Sequence, residues 1–146
     1  MLEDMTGYFI NSTKPIQVIC GHECANVPQT VPFCDHMSEQ IPPVNQLGTY
    51  HVVPPIDGRN RNAGYVVRVV ATEMATTIRY LGNWVVRNRG DFIQINTSDS
   101  MTPIVVECDK RCLVMQYNKG TIAIANGPVI NFAKILYSLL ILLTIL

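Results

Sequence analysis

The sequence predicts an all-β chain folded as an antiparallel β-sandwich of the jelly-roll or immunoglobulin-like kind. Short runs rich in Val, Ile and Thr recur along the chain, nine Pro and nine Gly supply punctuation between them, and no helical period separates one run from the next. The 48% hydrophobic content suits a globular core.

Taken in order, the expected strands are "KPIQVIC" (14–20), "TYHVVPP" (49–55), "GYVVRVVA" (64–71), "TTIRYLG" (76–82), "DFIQIN" (91–96), "PIVVEC" (103–108) and "CLVMQY" (112–117). The nearly continuous apolar run at 64–71 predicts a central strand buried on both faces, whereas the broken alternation at 91–96 predicts a peripheral one. Turns are expected at "PPIDGRNRNAG" (54–64), "LGN" (81–83), "NRGD" (88–91) and "TSDSMTP" (97–103), where Gly, Asn, Asp and Pro supply turn geometry. One helical turn is expected from Asp35 to Gln40, stopped by Pro42-Pro43. An echo between "STKPIQV" (12–18) and "CDKRCLV" (108–114), at an offset of 96 residues, would make the chain part of a repeated β unit.

Eleven basic residues balance eleven acidic ones, so no net field steers the chain toward nucleic acid. The start, "MLEDMTGYFINSTK", has neither a basic n-region nor an apolar run of signal-peptide length, so no signal peptide is expected in this chain. The last twelve residues, 135–146, begin at Ile135, end on Leu146 and carry no charge. As a helix they would reach about 18 Å against a hydrocarbon core of about 30 Å. The expected division is a β domain over 1–131 and a hydrophobic tail over 132–146, with membrane contact through the tail as one of its readings.

"GHECANVPQTVPFCDH" (21–36) gathers His22, Cys24, Cys34 and His36 into sixteen positions. Zinc would find four ligands of the right kind here. However, a one-residue separation on an extended chain sets paired side chains roughly 7 Å apart, wider than one ion comfortably accepts. A thiol nucleophile would need a base in reach and a group orienting that base; no Gly-rich oxyanion turn lies nearby and no G-x-S-x-G occurs. A disulfide from Cys24 to Cys34 closing a loop around Pro28 and Pro32 suits the spacing, given an oxidising compartment, and contributes on the order of 2–3 kcal/mol. No enzyme activity and no cofactor is expected.

Of the other cysteines, Cys20, Cys108 and Cys112, a second bridge between Cys20 and Cys112 is one pairing the sequence leaves open. Asn11 and Asn96 head N-x-S/T triplets, of which Asn96 is expected in a polar loop and Asn11 running into a strand. Arg59, Arg61, Arg79, Arg87 and Arg89 read as solvated loop charge or as a basic patch for anionic glycans. Trp84, the sole Trp, reads as a core residue at a strand start or as an exposed binding aromatic.

An ordered set of blocks carries a likeness: Cys24, Cys34-Asp35-His36, Glu39-Gln40-Ile41-Pro42-Pro43, Gly48-Thr49, "YVVRVVATEMATTI", and Leu113-Val114-Met115-Gln116-Tyr117 with Gly120. Over residues 9 to 120 the chain resembles the N-terminal domain family of IgGFc-binding proteins. The resemblance implies a non-enzymatic, β-rich binding or adhesion module at the cell surface or in a longer secreted protein, with a protein or glycoprotein partner. It also implies that Cys24 and Cys34 occupy the positions of a family cysteine pair.

Overall fold

The computed structural model describes residues 4–31, 34–55, 64–99 and 101–120. Among them nine strands form: β1 (Ile19–Ala25), β2 (Asp35–Gln40), β3 (Tyr50–Val53), β4 (Tyr65–Ala71), β5 (Thr76–Tyr80), β6 (Asn83–Arg87), β7 (Phe92–Asn96), β8 (Ile104–Cys108) and β9 (Cys112–Asn118). They build a β1-β2 ribbon, a four-stranded sheet in the order β3-β8-β5-β6 and a three-stranded sheet in the order β7-β4-β9. Every pairing is antiparallel.

The two larger sheets meet as a sandwich because each presents one apolar face. Val53, Ile78, Ile104, Val106 and Cys108 come from the four-stranded sheet, and Tyr65, Val67, Val69, Ile93, Ile95 and Cys112 from the three-stranded one; together they form a single buried cluster. At its end the Tyr65 hydroxyl donates to the Thr102 carbonyl at 2.6 Å, so the largest fully buried side chain has its polar atom satisfied. Burial, followed by the Asp99 charge, pushes the Tyr65 phenol up to about 12. β4 is central and buried almost throughout, and β7 is an edge.

The second face of β4 is covered as well. Val66 and Val70 are buried there, with Arg68 between them. The Arg68 guanidinium pairs with Asp4 at 2.8 Å, donates to Thr6 Oγ1 at 2.6 Å and lies 4.7 Å from the Phe92 ring centre. This draws the N-terminal segment across the sheet. Gly7, at φ +92°, passes so close to Gly90 that a Cβ would sit 2.0 Å from the Gly90 carbonyl oxygen, and Phe9 lies under the Arg89 guanidinium at 5.0 Å.

Several elements differ from expectation. The first strand is Ile19–Ala25 rather than 14–20, which leaves Asn11 in an exposed non-strand segment, while Asn96 closes β7 paired with Val66. The loop and strand settings expected for these two asparagines are therefore reversed. Residues 35–40 are the strand β2 and not a helical turn: pairing with β1 from Ile19↔Gln40 to Ala25↔Asp35 satisfies their backbone, and Met37 and Glu39 alternate with exposed neighbours. β6 occupies what reads as the continuation of a turn. Leu81 (φ 47°) and Gly82 (φ 77°) alone reverse the chain, both left-handed as a type I′ hairpin requires, and Tyr80↔Asn83 closes the pair. Residues 12–18 lie outside any strand, whereas 108–114 turn from β8 into β9, so the two halves of the echo have different local structures. The tail at 135–146 and the turn holding Arg59 and Arg61 lie outside the described residues.

Candidate functional site: the outer face of the four-stranded sheet

The stretch 21–36 holds most of β1 and the start of β2, with Cys24 and Cys34 joined across the end of their ribbon. Both thiols are thereby withdrawn from metal binding and nucleophilic chemistry. His22 stands opposite Met37, and its Nδ1 accepts the Cys24 backbone N–H at 3.0 Å, which turns the ring back onto its own strand. Among the described residues no group of three or more His, Cys, Asp and Glu is poised around one point. The zinc reading of His22, Cys24, Cys34 and His36 is therefore not the arrangement found.

The second bridge is corrected. Cys112 is fully buried at the start of β9 and bonds to Cys108 at the end of β8, while Cys20 is an exposed thiol opposite Glu39 on the ribbon. Cys108–Cys112 links the last residue of β8 in one sheet to the first residue of β9 in the other. The signal was present in the sequence: a cysteine ending one strand and a cysteine opening the next, with three residues between them, are delivered to each other by the turn.

Among the described residues, Arg79, Arg87 and Arg89 do not gather into one patch. Arg79 projects outward from β5, Arg87 stands opposite Thr76 on the core side of β6, and Arg89 is engaged by Phe9. His51, at 7% exposure, shares its Nε2 with the Gly48 carbonyl oxygen at 3.1 Å, and burial holds its pKa below the ordinary imidazole value.

One apolar face left uncovered among the described residues is the outer side of the four-stranded sheet. Directly opposed residues on antiparallel strands share a face. Tyr50↔Glu107, Glu107↔Arg79 and Arg79↔Trp84 thus form one row, with one residue from each of β3, β8, β5 and β6. Beside it, Val52↔Val105 and Thr77↔Val86 extend the same face on opposite flanks. Trp84 is 71% exposed, Tyr50 51%, Val52 47%, Val86 45% and Val105 39%. An outward face of an antiparallel sheet ordinarily carries polar side chains. Here apolar and aromatic residues point out on both edge strands and on β8, around one acid and one base, and Leu81 in the β5-β6 turn is exposed too. The sequence signal for this face was the run of adjacent apolar residues in "YHVV", "IVVE" and "NWVV", which reads as burial on both sides until one side is found uncovered.

Near one end of β6, Val86, Arg87, Asn88, Gly90, Asp91 and Phe92 line an open cleft of about 400 Å³. It holds no cluster of titratable groups beyond Arg87 and Asp91, and Asp91 already accepts the Asn88 backbone N–H at 3.2 Å.

Comparison with known proteins agrees with the likeness carried by the sequence blocks. No solved structure matches the chain. A human protein named IgGFc-binding protein is 27% identical over 123 residues, which is 82% of this chain and 2% of that protein, so the chain spans a small part of its relative's length. The family model described as IgGFc binding protein matches residues 2–132, and the chain belongs to that family.

Proposed function

We propose that this chain is an extracellular, non-catalytic module that binds a protein or glycoprotein partner through the outer face of its four-stranded sheet. The observation that carries the reading is the exposure of Tyr50, Val52, Trp84, Val86 and Val105 on one face, around Arg79 and Glu107. An exposed face that sets two aromatics and three valines around one Arg and one Glu offers the aromatic and Arg anchors that interfaces favour. Two cross-links, Cys24–Cys34 and Cys108–Cys112, fit an oxidising compartment. Asn11 and Asn96 are the glycan attachment points of this reading, both exposed, with Asn96 on the three-stranded sheet. The division into a β domain (1–131) and a hydrophobic tail (132–146) with membrane contact belongs to the same proposal.

The relative's name says that it binds the Fc region of IgG. Fc is therefore the first probe, and a sialylated glycoprotein the second. Secreted protein passed over surfaces carrying each should bind at least one of them, and Trp84→Ser or Tyr50→Ser should weaken that binding by about tenfold or more, the loss typical of a central aromatic anchor. Binding that both substitutions leave intact would move the recognition surface elsewhere.

A further inference from the structure

The docking face has a pattern that selects its occupant: we propose that it is a second copy of the same chain, packed face to face about a twofold axis. The inference rests on the reading of this face as a docking surface and adds the identity of what docks.

Across the sheet the row reads Tyr50, Glu107, Arg79, Trp84, with strands about 4.8 Å apart, so it is about 14 Å long. Its acid and base lie on either side of the midpoint, and an aromatic closes each end. A twofold axis lying in the interface, parallel to the strands and passing between β8 and β5, exchanges the two halves of the row. Glu107 then meets Arg79 of the second copy, Arg79 meets its Glu107, and Tyr50 and Trp84 cover one another at both ends. The other in-plane twofold, along the row, would set Glu107 on Glu107 and Arg79 on Arg79, which like charges oppose. Charge therefore chooses one of the two face-to-face arrangements, and the contact closes on itself as an isologous dimer.

Both charges are available for this. Among the described residues neither Arg79 nor Glu107 is held in a salt bridge, whereas Arg68 on the other sheet pairs with Asp4. Sheets stacked in this way sit about 10 Å apart with side chains interleaved, a distance that the protruding Trp84 and Tyr50 bridge. The flanking valines add apolar area on both sides of the row, and an exposed pair of charges alone would contribute little.

The test uses the complete chain in donor-labelled and acceptor-labelled batches, each modified at Cys20, the exposed thiol of the described residues. Labelling also blocks oxidation through that thiol. Energy transfer between copies should report self-association of the unaltered chain at concentrations up to roughly 100 µM. Glu107→Arg alone and Arg79→Glu alone should each associate with themselves at least about tenfold more weakly, because each sets like charges against each other. Mixing the two variants should restore association close to that of the unaltered chain, since Arg at 107 then meets Glu at 79 and the native Arg79 meets the native Glu107. Contact made through the hydrophobic tail would not follow this pattern. The proposal is overturned if the unaltered chain stays monomeric, if both single variants associate as well as it does, or if their mixture associates no better than either alone. Should the chain stay monomeric yet bind Fc or the sialylated glycoprotein in a Trp84-dependent way, the docking face stands and only its occupant is wrong.

Discussion

Tyr65 shows how one residue ties the sandwich together: its ring fills the core and its hydroxyl reaches the Thr102 carbonyl. Tyr65→Phe keeps the ring and removes the donor, and should cost about 1–2 kcal/mol in denaturant unfolding. The same group gives a pH dependence with a definite sign. The unfolded phenol ionises near 10 and the folded one near 12, so the folded state holds its proton over that interval and stability falls as pH rises through it. Alkaline unfolding of Tyr65→Phe should lose that part of the slope, and an unchanged slope would deny the burial of the hydroxyl. Leu81 is the reverse case, a bulky residue held at φ 47° in a two-residue turn. Leu81→Asn should raise stability by roughly 1 kcal/mol, as measured by thermal unfolding, because Asn tolerates the left-handed region. At this scale the sequence was partly legible. Trp84 had two readings, and local pattern did not separate them because its exposure depends on what faces β6 across the fold.

The strands whose identity is written in β-branched residues, β3, β4, β5, β7, β8 and β9, were all legible, since Val and Ile runs bounded by Gly, Pro and Asn leave few alternatives. β2, "DHMSEQ", carries no such residue; it is extended because β1 offers it a ladder and Cys24–Cys34 closes their end. Nonlocal pairing of that kind is invisible to propensity. The cross-links should act on different elements. Replacing Cys24 and Cys34 by Ser should loosen the ribbon, seen as faster amide exchange over β1 and β2, and leave the two larger sheets protected. Replacing Cys108 and Cys112 by Ser should lower the global unfolding free energy by about 2 kcal/mol, because that bridge joins the sheets. The N-terminal crossing is an element of its own. Gly7→Val has no space for a side chain against Gly90 and should release Asp4 and Thr6 from Arg68, read as protease cleavage before residue 10.

For the molecule as a whole, the class of fold was written in the chain and the family in its ordered blocks, but the docking face was not, because it exists only once β3, β8, β5 and β6 lie side by side in that order. The order comes from long-range pairings, with β8 inserted between β3 and β5, and no short window of sequence contains it. The reversed settings of the two asparagines have a consequence at this scale. Asn11, in an exposed segment, should carry glycan more fully than Asn96, which ends a strand, when the chain is made in a secretory pathway; site mapping that finds Asn96 alone occupied would contradict this. Protein ending near Gly120 keeps the Gly120–Val27 hydrogen bond and should be more monodisperse than the full chain, with its β-type circular dichroism retained.

The central claim is that partners dock on the row of Tyr50, Glu107, Arg79 and Trp84, and the chain carries its own reporter there, since Trp84 is its sole tryptophan. Fluorescence of Trp84 against added acrylamide, with the chain free and then bound to a tryptophan-free partner or labelled second copy, reads the face directly. The free chain should show water-exposed emission that acrylamide quenches readily. On binding, the emission should shift to shorter wavelength and the quenching should fall. Binding established by sedimentation while Trp84 stays red and fully quenchable would contradict the account.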